Sequence, residues 1–268
     1  MTDDLRATAL RWLDAARPAV VVEVAAFRGS VPRETGTRML VAADEAVGTI
    51  GGGHLELQAI QQARALLVAG GPAFERHVAL GPSLGQCCGG ALDLRFTPLA
   101  QASPAAWSAP VPRFFLQLYG AGHVGRAVAG HLADVPCQVQ WIDEREGEFP
   151  AEPSPPHIQR LCAEPVDSEV ASAPGGAFYL VMTHSHDLDL ALSLAILRRG
   201  DAGFFGLIGS RTKRLRFEHR LGERGIAPQA LAGMVCPVGL PGIEGKEPGV
   251  IAAATVAQLL QRAGRGRA

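Results

Sequence analysis

The segment Gly120-Ala-Gly-His-Val-Gly125 constrains the fold of this chain more than any other. It matches G-x-G-x-x-G, a spacing that is weak by itself and informative in context. Phe114–Tyr119 ahead of it is short and apolar, as a buried strand is, and Val124–Leu132 behind it has helical spacing. A second strand-like run, Cys137–Ile142, ends at Asp143. Strand, glycine turn, helix, strand and acid follow one another as in a dinucleotide-binding βαβ unit. Two readings of the turn are open. In one, Gly120, Gly122 and Gly125 let the backbone approach a ligand phosphate at the helix N-terminus, and Asp143 accepts from a ribose hydroxyl. In the other, the turn is tight for packing alone. His123 either touches the ligand or stays in solvent.

The alternation continues downstream. Ala177–Met182 and Phe204–Ile208 read as strands, and Leu188–Arg199, Thr212–Arg224 and a last stretch near Val250–Gln261 read as helices. Strands alternating with helices imply a parallel sheet with right-handed crossovers. Upstream the pattern differs. A helix is predicted over Asp4–Ala16, strands over Ala19–Phe27 and Ala91–Phe96, a hairpin over Met39–Ala42 and Ala46–Ile50, and a helix over Leu55–Ala69. Between the halves, Leu99–Pro112 is rich in Ala, Ser and Pro and carries no charge, which predicts a linker. The expected architecture is α/β: a small α+β domain over 1–98, a linker over 99–112, and a Rossmann-like parallel-sheet domain over 113–268.

Composition narrows the function classes. With 47% hydrophobic and 19% charged residues the chain is too apolar to be disordered. Lys and Arg total 25 against 26 Asp and Glu, which argues against a global electrostatic grip on nucleic acid. No run approaches the ~18 uninterrupted apolar residues of a membrane span. The start, Met1-Thr-Asp-Asp-Leu5, lacks a basic signal-peptide region, so a cytoplasmic protein is expected. Five cysteines do not make a disulfide framework, and in a reducing compartment they are core residues, ligands or reactive thiols.

Two of them, Cys87 and Cys88, stand adjacent within Leu84-Gly-Gln-Cys-Cys-Gly-Gly90. Glycines uncover the thiols, and a thiolate suits a soft or thiophilic centre. Adjacent cysteines suit tetrahedral zinc poorly, and the alternative is two small residues in a tight loop. Gly51-Gly-Gly-His-Leu-Glu56 is a second glycine cluster between a strand and a helix. The N–H groups of Gly51, Gly52 and Gly53 could form an anion-binding nest with His54 and Glu56 as an acid–base or ligand pair. A plain turn, with Glu56 favouring the helix start, is the alternative. Arg28-Gly-Ser-Val-Pro-Arg33 offers two guanidinium groups to the same place.

Thr183-His-Ser-His-Asp-Leu-Asp189 follows a predicted strand, where ligands of open α/β sheets bind. Its register fails the H-x-H-x-D-H metal motif, which leaves His184 at a ligand crevice or the segment as a helix cap. Gly209-Ser-Arg-Thr-Lys-Arg-Leu-Arg216 also opens a helix. Ser210 and Arg211, with Lys213 and Arg214, suit a phosphate, and a solvated basic face is the alternative. Gly239–Pro248 reads as a long functional loop.

Taken in order, Arg28–Arg33, Gly51–Glu56, Gly85–Gly90, Gly120–Gly125, Thr183–Asp187, Ile208–Lys213 and Pro237–Gly242 resemble the xanthine dehydrogenase accessory protein family, XdhC/CoxI. The resemblance runs from about Ala19 to Gln261. It implies a small N-terminal domain, a Rossmann-like C-terminal domain, and a molybdenum cofactor chaperone rather than an enzyme. Such a protein binds the molybdopterin cofactor, presents it to a cysteine desulfurase that exchanges an oxo for a sulfido ligand, and inserts it into apo-xanthine dehydrogenase. The resemblance places molybdenum ligation, through the cofactor, on Cys87 and Cys88, and a homodimer is left open. Glycine nests and helix N-termini suit the cofactor phosphate. A rival reading is an NAD(P)-dependent oxidoreductase. Bulky His123, and tyrosines confined to predicted strands at Tyr119 and Tyr179, argue against nicotinamide chemistry. A third reading is a partner-binding adaptor without cofactor.

Overall fold

The computed structural model describes residues 5–80, 89–107 and 111–265. The chain divides into two compact units, Thr2–Ala109 and Pro110–Ala268. The folds are α/β: the first unit is built on an antiparallel sheet and the second on a parallel, Rossmann-like one.

In the first unit, helix α1 (Leu5–Asp14) precedes strands β1 (Ala19–Arg28), β2 (Arg38–Ala42) and β3 (Ala46–Gly48). Helix α2 (Gly53–Ala69) and strands β4 (Phe74–Ala79) and β5 (Ala91–Pro98) complete it. The sheet order is β3-β2-β1-β5-β4. Alternation along β1 decides its two faces. Val20, Val22 and Val24 join Leu55, Ala59 and Ala63 of α2 in one core. Val21 joins Ala9 and Trp12 of α1 in the other. Both faces are therefore covered, which is why β1 reads as a nearly unbroken β-branched run.

The segment predicted as a linker is largely part of this unit. Leu99–Gln101 and Pro104–Ala106 are short 3₁₀ turns, and Leu99 is buried with Trp12. The Arg38 guanidinium lies over the Trp107 ring, 4.9 Å from its centroid. The Ala, Ser and Pro content suggested a free connector, but one Leu and one Trp bring enough apolar surface to dock it. Strand β4 lies at the sheet edge and is almost wholly exposed, with Glu75, Arg76 and His77 at its centre, so it carries no apolar alternation that predicts a strand.

The second unit contains β6 (Phe115–Tyr119), α3 (His123–Leu132), β7 (Gln138–Asp143), β8 (Ile158–Cys162), β9 (Phe178–Val181) and α4 (His186–Arg199). It continues through β10 (Phe204–Leu207), α5 (Arg211–Gly222), α6 (Pro228–Gly233), β11 (Met234–Val235) and α7 (Pro248–Arg265). Every pairing is parallel, in the order β11-β10-β9-β6-β7-β8. The chain thus winds outward from β6 to β8, returns to the other side of β6, and winds outward again, the doubly wound order with its switch point between β6 and β9. Val128, Leu132, Val256 and Leu259 of α3 and α7 pack on one face against Leu116 and Leu118. Leu190, Ile196 and Phe217 of α4 and α5 pack on the other against Tyr119 and Tyr179. Strand β8 was unpredicted, since Gln159 and Arg160 interrupt its apolar pattern.

Candidate functional site

In the first unit three motif segments meet at one end of the sheet. Arg28 ends β1 opposite Ala91, the first residue of β5. A Cβ at Gly90 would stand 2.4 Å from Ser30 O and 2.6 Å from Arg28 O, so only glycine lets the strand pass beneath that loop. A Cβ at Gly51 would stand 2.5 Å from Pro32 Cγ, which places the Arg28–Arg33 loop directly on the second glycine cluster. Among the described residues nothing lies within 4 Å of a Cβ at Gly52 or Gly89. Gly52 needs its φ of 74°. Arg28 and Arg33 are exposed, and neither has a side-chain partner among the described residues. Cys87 and Cys88 lie outside the described residues.

The nest itself is already filled, by the chain's own carboxylate. Glu56 Oε2 accepts from Thr49 Oγ1 at 2.5 Å, from Ile50 N at 3.1 Å and from Gly52 N at 3.1 Å. Gly51 N donates to Thr49 Oγ1. Gly51, Gly52 and Gly53 all have left-handed φ, as the expected nest does, but Glu56 supplies its anion. His54 does not pair with it; its Nε2 lies 3.0 Å from Gln58 Nε2 in solvent. The expected acid–base pair is corrected accordingly: side chains two apart on a helix point to different sides.

In the second unit Gly120, Asp143, Glu144, Thr183 and His184 line one crevice at the strand ends beside the switch point, too narrow to hold a water molecule. Gly120 has a φ of 112°, and a Cβ there would meet Met182 O at 2.4 Å. A Cβ at Gly125 would stand 2.0 Å from Gly120 O, so this glycine seats α3 against β6. Trp141 Nε1 donates to Gly120 O at 3.0 Å. Gly122 is the N-cap of α3 without a side-chain cap, and His123 beside it is exposed.

Asp143 departs from the expected ribose contact. Its Oδ2 accepts from Ala121 N at 2.7 Å and Arg145 Nη2 at 3.0 Å. Its Oδ1 accepts from Arg145 N at 2.9 Å and Arg145 Nε at 3.0 Å. A carboxylate has about four acceptor sites, so all are spent within the chain. Burial raises the Asp143 carboxyl, but the hydrogen bonds from Arg145 and Ala121 outweigh it and hold the group below the ordinary carboxylate value. Arg145 went unnoticed in the sequence, where a guanidinium two residues past a strand-end acid was the available signal.

Ser185 and Ser210 cap α4 and α5, accepting from Leu188 N and Lys213 N. Lys213, expected in a basic grip, turns inward to Asp189, and Arg214 pairs with Glu218. Arg211 stays exposed with no side-chain partner among the described residues. His184 Nε2 lies 3.5 Å from Glu144 Oε1. Cys137 and Cys236 are buried, and burial pushes the Cys137 thiol up to about 12. Among the described residues no group of three or more His, Cys, Asp or Glu could hold a metal ion, and no helix is long and apolar enough to cross a membrane. A larger cavity of about 500 Å³, between Phe204, Gln229, Gln258 and Arg262, carries none of the motif residues.

Comparison with known proteins covers both units. Residues 116–259 match the XdhC Rossmann domain, and residues 12–78 match the XdhC and CoxI family. The chain is 32% identical over 254 residues to the uncharacterized protein YqeB of Escherichia coli strain K12. That match takes in 91% of this chain and 43% of YqeB, so the chain spans less than half of that relative's length. A solved structure of a xanthine dehydrogenase from Bacillus halodurans superposes with a TM-score of 0.72 at 19% identity, covering 98% of this chain and 96% of that one. At that identity the likeness is one of fold.

Proposed function

This chain belongs to the XdhC family, and from that premise we propose that it is a molybdenum cofactor chaperone serving a xanthine dehydrogenase. In this reading it shields the cofactor, presents it to a cysteine desulfurase, and delivers it to apo-xanthine dehydrogenase without catalysing a reaction of its own. The observation that carries the reading is the meeting of Arg28–Arg33, Gly51–Gly52 and Gly89–Gly90 at one end of the first sheet, with two exposed guanidinium groups that have no side-chain partner among the described residues.

The residues present fit such a group. The cofactor, when bound, supplies a phosphate, a flat polar pterin and a thiophilic metal. Arg28 and Arg33 suit the phosphate, since planar guanidinium groups hold phosphate oxygens in pairs. Gly89, with no described residue within 4 Å of where a Cβ would stand, leaves room for a flat ring against the main chain. Cys87 and Cys88 supply the soft donors the metal prefers. Glu56 keeps the turn rigid beneath the site through Oε2, which is committed to the turn.

The test is anaerobic incubation of the full chain with released molybdenum cofactor, followed by gel filtration and assay of molybdenum and pterin. Near-stoichiometric retention is expected. A Cys87→Ala, Cys88→Ala variant, and separately an Arg28→Ala, Arg33→Ala variant, should each lose at least about tenfold in retention, equivalent to ~1.4 kcal/mol. Absence of retention by the unaltered chain under reducing conditions overturns the reading.

A further inference from the structure

The Rossmann unit carries the strand order and glycine turn of a dinucleotide-binding domain, yet the chain's own side chains take up the places where a dinucleotide makes its contacts. We infer that Arg145 occupies the ribose subsite of this unit and makes it refuse NAD(H) and NADP(H). The inference is independent of the cofactor reading, which concerns the other unit.

In a dinucleotide site the strand-end acid faces outward and accepts the ribose hydroxyls. Here Asp143 is turned under the glycine turn, holding Ala121 N, and its remaining acceptor sites are taken by Arg145. Arg145 is held from its other side as well, with Nη1 3.3 Å from Glu148 Oε1. Glu148 in turn binds Arg126 of α3, Oε2 to Nη2 at 2.8 Å, and Arg126 Nε donates to Ala121 O and to Glu148 O, each at 2.9 Å. Asp143, Arg145, Glu148 and Arg126 therefore close a ring of hydrogen bonds around the turn.

The same ring refuses the phosphorylated dinucleotide. An arginine near the strand-end acid is the usual receiver of a 2′-phosphate. This one already lies between two carboxylates, which repel a further anion and leave the guanidinium few free donors. Glu144 and His184, 3.5 Å apart across a crevice too narrow for water, add a second obstruction at the switch point.

The experiment is a fluorescence titration of the full chain with NADH and NADPH, paired with calorimetry using the oxidised forms. The unaltered chain should show no saturable binding up to about 1 mM, and Arg145→Ala, which frees the two Asp143 acceptor sites held by the guanidinium, should bind NAD(H) with a Kd at least about tenfold below that limit. Arg145 is a third exposed, so the variant should keep its circular dichroism. If it does not, Arg145→Met, which keeps the apolar stem and removes the guanidinium from Asp143, carries the same expectation. Saturable binding by the unaltered chain with a Kd below about 1 mM overturns the inference. Failure of a folded variant to gain binding overturns the assignment to Arg145.

Discussion

Lys213 and Asp189 form a buried ion pair that ties two strand ends together, with Nζ 2.5 Å from Oδ2. The same Nζ donates to Ile208 O at the end of β10, and Asp189 Oδ1 accepts from Thr183 N and Thr183 Oγ1 at the end of β9. The loops carrying His184 and Ser210 are thereby held to one another. Lys213→Met should destabilise the second unit by about 3 kcal/mol, because it strands a charge that is 1% exposed. Asp189→Asn combined with Lys213→Met should recover most of that loss, since the amide oxygen still accepts from Thr183 and no charge is stranded. Urea unfolding of the two variants against the unaltered chain checks both; a double variant as unstable as Lys213→Met would show that packing, not charge, is lost.

Glu56→Ala should loosen the turn on which the first-unit site rests. It leaves Thr49 Oγ1, Ile50 N and Gly52 N without their acceptor. A cost of about 2 kcal/mol is expected for losing a charged acceptor of this kind, and Glu56→Gln should cost less. Hydrogen exchange of the Ile50 and Gly52 amides should speed up in step with the loss.

The Asp143 network has a pH signature. Its carboxyl is held below its unfolded value, so it stabilises the fold above about pH 4 and the stabilisation is lost as pH falls through the lower, folded value. Asp143→Asn should be the less stable protein at pH 7. The gap should narrow steadily from about pH 4 downward, because protonation removes from the unaltered chain what the variant already lacks. Parallel unfolding curves between pH 2 and 7 measure it, and a constant gap would contradict the assigned interaction.

Two glycines of α3, Gly125 and Gly130, should respond with opposite sign when replaced by alanine. Gly125→Ala drives a methyl to 2.0 Å from Gly120 O and should destabilise by at least about 2 kcal/mol. Gly130→Ala, later in α3 and with nothing within 4 Å of its Cβ, should stabilise by about 0.5–1 kcal/mol through helix propensity. Thermal melts of the two variants decide between close packing and a general intolerance of alanine in this helix.

Much of this molecule was legible before its structure. Glycine spacing, the alternation of strands and helices, and the serines at the starts of α4 and α5 are local signals, each carried by neighbours a few residues apart. They determined the Rossmann-like parallel-sheet unit and the small α+β unit before it. What they left open was the partner of each charged group. Glu56 entered its own nest, Arg145 took Asp143, Lys213 turned to Asp189 across 24 positions, and the Arg28–Ser30 carbonyls closed over Gly90. Leu99 and Trp107 likewise read as linker until the core supplied their contacts. Periodicity and turn chemistry depend on backbone geometry within one element, so sequence expresses them directly. Pairing of charges and docking of loops depend on which distant elements the fold brings within a few ångströms, and that only the tertiary structure decided.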